Sequence, residues 1–240
     1  GELSAIVLRA LGTDVQKRYQ SATELLSELR RLQAKLNPLP PRYSRLAELD
    51  GGRCLCNDRE TGQRVAIRLV NTTASLAEFA HQCNRLADLH LPALEIPLHQ
   101  FPNEQFVGIV SPVPSGPNLL ERFGGKALSD VKNLQALCET IAQVGDLLST
   151  VHQAGLCHGL LSPFAITIGP GGPRLHEMGS SPILRARRMT GAADASSEGL
   201  EPLLPFMSPQ MLMATHDPGP ADDIYALGAI LFTLLAGRPP

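Results

Sequence analysis

The stretch Val151-His-Gln-Ala-Gly-Leu-Cys-His-Gly-Leu-Leu-Ser-Pro-Phe-Ala-Ile-Thr-Ile168 decides how the chain is read. Before it, Leu134, Leu137, Ile141, Leu148 and Val151 follow helical spacing, which predicts a long helix from a Ser129 cap to Ala154, stopped by Gly155. After it, Ala165 to Ile168 and Arg174 to His176 predict two short strands joined by the turn-rich Gly169-Pro-Gly-Gly-Pro173. In the loop between them, neither Leu160 nor Ala165 has a side chain able to take a proton or donate a lone pair.

Working outward, residues 1–36 read as two helices. Leu3, Ile6, Val7 and Leu11 form the first, Gly12 and Asp14 break it, and a Ser21-Ala-Thr-Glu24 capping box opens the second. The proline-rich residues 37–42 read as a linker and a domain boundary. Strands are expected at Leu46 to Leu49, around Leu55, and at Arg64 to Val70, with Gly51-Gly52 as a turn. A helix from Ser75 to Leu89 follows, then strands at Leu98 to Phe101 and Phe106 to Ser111, then a connector with Pro112, Pro114 and Pro117. The last helix is expected near Asp222, carrying Ile224, Leu227, Gly228, Leu231 and Leu235.

Composition narrows the partners. The 240 residues are 43% hydrophobic and 18% charged with net charge −2, which gives a globular chain with no overall pull toward nucleic acid or acidic lipid. Arg185 to Arg188 is a local basic cluster without interleaved aromatics and reads as a solvated loop face. Five scattered cysteines suit reduced thiols, mostly buried, in a cytoplasmic setting, and Cys54-Leu-Cys56 with unspaced histidines gives no zinc pattern. The apolar run Ala226 to Gly237 has about a dozen residues against the ~20 needed to cross a bilayer, so it reads as a buried core helix and no membrane segment is expected.

Strand-rich half, proline-bearing connector, helical half with a short hairpin, long loop and apolar helix: from 42 to 240 this order resembles the protein kinases, in the style of the bacterial serine/threonine enzymes. Asp223-Ile-Tyr-Ala-Leu-Gly228 with Leu234 to Pro240 is similar to that family's central C-lobe helix and following turn, and Phe206-Met-Ser-Pro209 to the end of its activation segment. The resemblance implies an α+β, bilobal protein-kinase-like fold, with a small β-rich N-lobe (43–111), a hinge (112–118) and a helical C-lobe (119–240) truncated after its central helix. It also implies that residues 1–36 are the C-terminal helices of an upstream kinase-like domain, with Arg18 in a structural ion-pairing position, or, in a permuted arrangement, helices that complete the later domain beside Gln210.

The same resemblance assigns site positions. Leu160 stands at the catalytic base and Ala165 at the metal-binding Asn, with Ser162 between them also degenerate. Arg68 replaces the phosphate-pairing Lys, Gln82 its helix Glu partner, and Glu177 the metal-binding Asp, while Gly51 and Gly52 are vestiges of the glycine-rich loop and read as a plain tight turn. Arg68 and Gln82 are expected to share a neutral-to-charged hydrogen bond. His158 and Asp223 hold structural roles: the family's Asp accepts hydrogen bonds from the catalytic-loop backbone and its His packs beneath that loop. Gly159 removes an Arg that reads an activation-loop phosphate, so Ser180, Ser181, Thr190, Ser196 and Ser197 lack that reader.

Groups that touch nucleotide or metal have changed while groups that hold the scaffold remain. The leading expectation is therefore a catalytically impaired domain, a pseudokinase, that regulates or binds a protein partner, namely an adjacent active kinase domain. Two alternatives stand beside it: an unorthodox kinase using ATP and magnesium through Arg68 and Glu177, and a non-catalytic nucleotide sensor.

Overall fold

The computed structural model describes residues 1–36, 39–70, 76–102, 107–125, 130–179, 182, 200–213 and 215–240, and divides into two units, Gly1–Ser44 and Arg45–Pro240. Expectations at Asn37, Pro38, Ser75, Phe106, Ser129, the Arg185 to Arg188 cluster, Ser180, Ser181, Thr190, Ser196 and Ser197 lie outside the described residues.

The first unit holds α1 (Glu2–Ala10), a 3-10 turn (Val15–Lys17) capped by the Asp14 carboxylate on Gln16 N, and α2 (Ala22–Leu36). The expected capping box is half formed. Ser21 Oγ accepts from Glu24 N, whereas the Glu24 carboxylate reaches one residue further back, to Gln20 N at 2.8 Å. Arg9 joins the helices: it pairs with Glu24 and Glu28 and lies 4.2 Å over the Tyr19 ring, whose hydroxyl donates to Glu28. On α1 only Ile6 is buried, and Leu3, Val7 and Leu11 are exposed.

The second unit is built on a five-stranded sheet, ordered β1-β2-β3-β5-β4. Its strands are β1 (Tyr43–Leu49, whose first two residues belong to the first unit), β2 (Arg53–Asp58), β3 (Arg64–Val70), β4 (His99–Pro102) and β5 (Val107–Pro112). The central β3 pairs antiparallel with β2 and β5, and its β-branched residues are buried on both faces, with Ile67 opposite Cys54 and Val110. Helix α3 (Leu76–Ala87) buries Phe79 and Leu86.

The helical half begins with α4 (Leu119–Phe123), opened by an Asn118/Glu121 capping box, and continues with α5 (Val131–Gln153). Asp130 supplies the α5 cap, accepting from Lys132 N. The buried stripe of α5 is Leu137, Val144, Leu148 and Val151, whereas Leu134, in its first turn, is exposed. Gly155, at φ +69°, ends the helix as expected. The hairpin is β6 (Ile166–Gly169) with β7 (Gly172–Leu175), Ile166 opposite Leu175. A 3-10 segment (Glu201–Phe206), α6 (Pro209–Leu212) and α7 (Pro220–Ala236) complete the half.

Two apolar cores result. One gathers Leu86, Leu119, Leu137, Leu148, Met178 and Ile230; the other joins Val70, Phe79, Val107 and Ile109 to Leu160, Leu203 and Met207. Burying each large side chain of this kind stabilises by about 1.5–3 kcal/mol. Helix α7 departs from the expected buried helix: it buries Ala226, Ala229, Ile230 and Leu234, but Ile224 is 58% and Leu235 61% exposed. Only one stripe of its apolar surface meets the core among the described residues. The thiols Cys54, Cys56 and Cys157 are buried, Cys83 is half-buried and Cys138 is exposed; burial pushes Cys56 up to about 12 and Cys83 to about 11, which keeps both protonated and inert.

Candidate functional site

The loop after α5 is held from below by Asp223, in the first turn of α7 and 1% exposed. One carboxylate oxygen accepts from Gly159 N at 2.9 Å, the other from His158 N at 2.8 Å and lies 2.8 Å from His152 Nε2. Gly159 allows this close backbone approach at φ +83°. His158 is fully buried beneath the loop, its Nδ1 accepting from Leu160 N. Burial pushes its pKa below the ordinary value of 6.5, with Asp223 and Glu177 acting in the opposite sense.

Above this floor the chemistry is apolar. Leu160 is 2% exposed and sits in the second core, and Ala165 and Ser162 are fully buried. Next to them Phe164 projects toward the sheet. A Cβ added to Gly51 would lie 2.9 Å from Phe164 Cβ, so the β1–β2 turn rests on this side chain. Gly51 and Gly52, at φ +72° and +76°, make the tight turn. Two bonds fasten it: Arg53 Nη2 donates to the Phe164 carbonyl at 3.1 Å, and Asn118 Nδ2 to Asp50 Oδ2 at 2.9 Å.

Inside the turn, Arg68 and Glu177 meet. Arg68 Nε lies 2.5 Å from Glu177 Oε1 and Nη2 2.9 Å from Oε2, a two-bond fork between side chains only 2% and 5% exposed. Desolvation alone would raise the Glu177 pKa; the charge and hydrogen bonds of Arg68, then the charges of Arg53 and His158, outweigh it and hold the carboxyl at about 2. Glu177 also sits at φ +59°, a conformation unfavourable for a side chain with a Cβ and one found at constrained sites. Arg53, buried as well, has its own pKa lowered, chiefly by burial.

Thus Arg68 takes Glu177, not Gln82: among the described residues no hydrogen bond joins Arg68 to Gln82, which instead flanks Gly179 with Cys83 and Leu86. The reason is charge. A buried guanidinium gains far more from a carboxylate than from an amide. Arg18 lies in the first unit and donates to Gly12 O. Gln210 is exposed at the start of α6.

Sequence reasoning missed Arg53, Phe164 and Asn118, which close the cleft, and the Asp222 junction. There Ser208 Oγ donates to Asp222 Oδ1 at 2.6 Å while Oδ2 accepts from Gly219 N and lies 3.0 Å from His216, tying the Met-Ser-Pro segment to α7. Its being the one phenylalanine in the loop between Gly155 and Ala165 was the available signal for Phe164.

Among the described residues, a cavity of 150 Å³ lies beside Asp50, Arg53 and Asn118, below the ~300 Å³ at which small-molecule sites begin. Magnesium and ATP do not fit these residues as they stand. Both Glu177 oxygens are engaged by Arg68, Ala165 and Leu160 offer no ligand, and Phe164 stands under the turn.

A sheet with one packed helix, a proline-bearing connector, and a helical half whose loop hangs from a buried Asp define a mixed α+β fold of the protein-kinase type. The comparisons agree. The serine/threonine-protein kinase PknA of Mycobacterium tuberculosis (strain ATCC 25618 / H37Rv) is 23% identical over 201 residues, 76% of this chain and 43% of that one. The probable serine/threonine-protein kinase PkwA of Thermomonospora curvata is 27% identical over 125 residues, 52% of this chain and 16% of that one. CBL-interacting serine/threonine-protein kinase 21 of Arabidopsis thaliana is 28% identical over 128 residues, 51% of this chain and 29% of that one. No family model matches. These similarities support a protein-kinase-like family, and the chain spans less than half the length of these relatives. Among the described residues no helix is long and apolar enough to cross a membrane.

Proposed function

We propose that this is a pseudokinase domain, a regulatory or protein-binding module that works beside an active serine/threonine kinase domain. The observation that carries this reading is the buried Arg68–Glu177 fork, which commits the two groups best suited to phosphate and metal to each other. Leu160 in the core and Phe164 under the turn support it, because they put apolar matter where a substrate hydroxyl and phosphates would otherwise lie. Losing a general base alone removes about 10²–10⁴-fold in rate. A cleft closed by its own side chains gives a scaffold whose shape does not depend on nucleotide, which suits a docking module. Residues 1–36 belong, in this proposal, to the end of a preceding kinase-like domain, the partner it regulates.

The test is thermal melting of the purified chain with and without magnesium-ATP, run alongside a phosphotransfer assay. A ligand at 100 times its dissociation constant stabilises by about 2.7 kcal/mol, so no shift and no transfer is the expected result. Robust transfer that Glu177→Ala abolishes overturns the proposal.

A further inference from the structure

Two thiols meet on the sheet, apart from the Arg68–Glu177 fork. Side chains alternate along β2, so Cys54 and Cys56 share the face opposite to Arg53, and both are buried. Cys56 Sγ donates to Cys54 Sγ at 3.6 Å, and Cys54 Sγ donates to the Ile67 carbonyl on β3 at 3.4 Å. Burial raises the pKa of both, with the Arg45 charge acting in the opposite sense. Their protons shield these sulfurs from electrophiles, but a cation that prefers sulfur to oxygen displaces them.

Spacing decides between the products such a pair can give. Residues i and i+2 of a strand have Cα atoms about 6.6–6.8 Å apart, at the upper limit of about 6.8 Å for a disulfide, so direct bridging strains the strand. A single ion between the sulfurs lengthens the link and removes that strain. Tetrahedral zinc takes four ligands, and among the described residues no three His, Cys, Asp or Glu side chains gather to hold a metal. Two soft donors without a third suit a two-coordinate, univalent, sulfur-seeking ion.

We propose that the fold pre-positions Cys54 and Cys56 to bind one copper(I) ion as a bis-thiolate. The ion bonds to both sulfurs and releases both thiol protons, with no change of oxidation state. The product carries a single negative charge, which Arg45 on β1 partly offsets, while Glu48, the ion-pair partner of Arg45, acts against it. The inference stands on the thiol pair and does not depend on whether the cleft accepts nucleotide.

Under argon and with a reductant present, the full chain is titrated with copper(I) delivered from its bathocuproine disulfonate complex. Native mass spectrometry counts the bound ions, and carbon-13 NMR follows the Cβ resonances of the five cysteines. A single ion per chain that moves Cys54 and Cys56 together is the expected result. Cys54→Ser and Cys56→Ser each lose that ion, and Cys138→Ser, a change at an exposed thiol, keeps it. Shifts at Cys83, Cys138 or Cys157 while Cys54 and Cys56 stay unmoved overturn the site, a readout on the unaltered chain that needs no variant to fold. An ion count that falls in Cys138→Ser identifies adventitious surface binding and overturns it as well. Equal affinity in the urea-unfolded chain shows a local chelate that the fold does not build, and that too overturns the proposal.

Discussion

Arg68 on β3 and Glu177 after β7, 109 positions apart in the chain, hold each other through two parallel N–H···O bonds of 2.5 and 2.9 Å in a site closed to water. Removing one partner leaves an uncompensated buried charge. Arg68→Met is expected to cost about 3–5 kcal/mol, and Arg68→Met with Glu177→Leu to recover most of it. Urea unfolding of the four proteins of this cycle measures the coupling, and additive losses would remove the pair's claim to be the centre of the site.

The same carboxylate sets a pH dependence. Its folded pKa of about 2 lies below its ordinary 4.5, so its contribution is fully present above about pH 4.5 and is lost as pH falls toward 2. The size is about 3 kcal/mol, from ~1.4 kcal/mol per pKa unit. His158, also depressed, begins an earlier loss as pH falls below its ordinary 6.5. Denaturation midpoints from pH 8 to pH 3 should therefore fall in two stages, and Glu177→Gln should flatten the lower stage while keeping the upper.

A carboxylate at position 160 is expected to harm rather than help. Leu160→Asp places a carboxylate among Val70, Phe79, Ile109 and Met207, with a loss of about 3 kcal/mol or more and no gain in phosphotransfer. A chemical melt and a radiolabel transfer assay on the same sample check both halves. A stable, active variant would mean that the second core is not packed as described.

Two glycines with similar backbones separate strain from crowding. Gly51 and Gly62 lie at φ +72° and +69°, but an added Cβ meets Phe164 at 2.9 Å in the first case and nothing within 4 Å in the second. Gly62→Ala should cost only the left-handed backbone penalty of about 1–2 kcal/mol, and Gly51→Ala a further 1–3 kcal/mol, roughly, for overpacking. Equal losses in thermal unfolding would show that the turn does not rest on Phe164.

Asp223→Asn tests the floor of the loop. The amide group turns a donor toward either the His158 or the Gly159 N–H, leaving one of them unsatisfied, and a loss of about 1–3 kcal/mol is expected. Hydrogen exchange at these two amides should rise in the variant ahead of the α5 core.

The frame of the fold was legible because periodicity and punctuation are local. Alternating and β-branched residues marked β3, and Gly155 marked the end of α5. Asp223 was singled out by the resemblance alone; its burial and its bonds to His158 N and Gly159 N come from the fold. Glu177 and Arg68 were each recognised, but their pairing was not, since 109 residues of chain separate them. The exposure of α7 was hidden for the opposite reason: an apolar run looks the same whether one face or all of it is covered. Phe164 and Arg53 escaped because their roles exist only where two halves of the domain meet.

One bond in that meeting tolerates drift. Arg53 donates to the main-chain oxygen of Phe164, not to its ring. The Arg53 bond therefore survives a change of side chain at 164, although such a change takes away the ring on which Gly51 rests, whereas a residue at 53 too short to reach the carbonyl loses the bond itself. Related sequences should accordingly keep a donor of Arg length at 53 more strictly than an aromatic ring at 164.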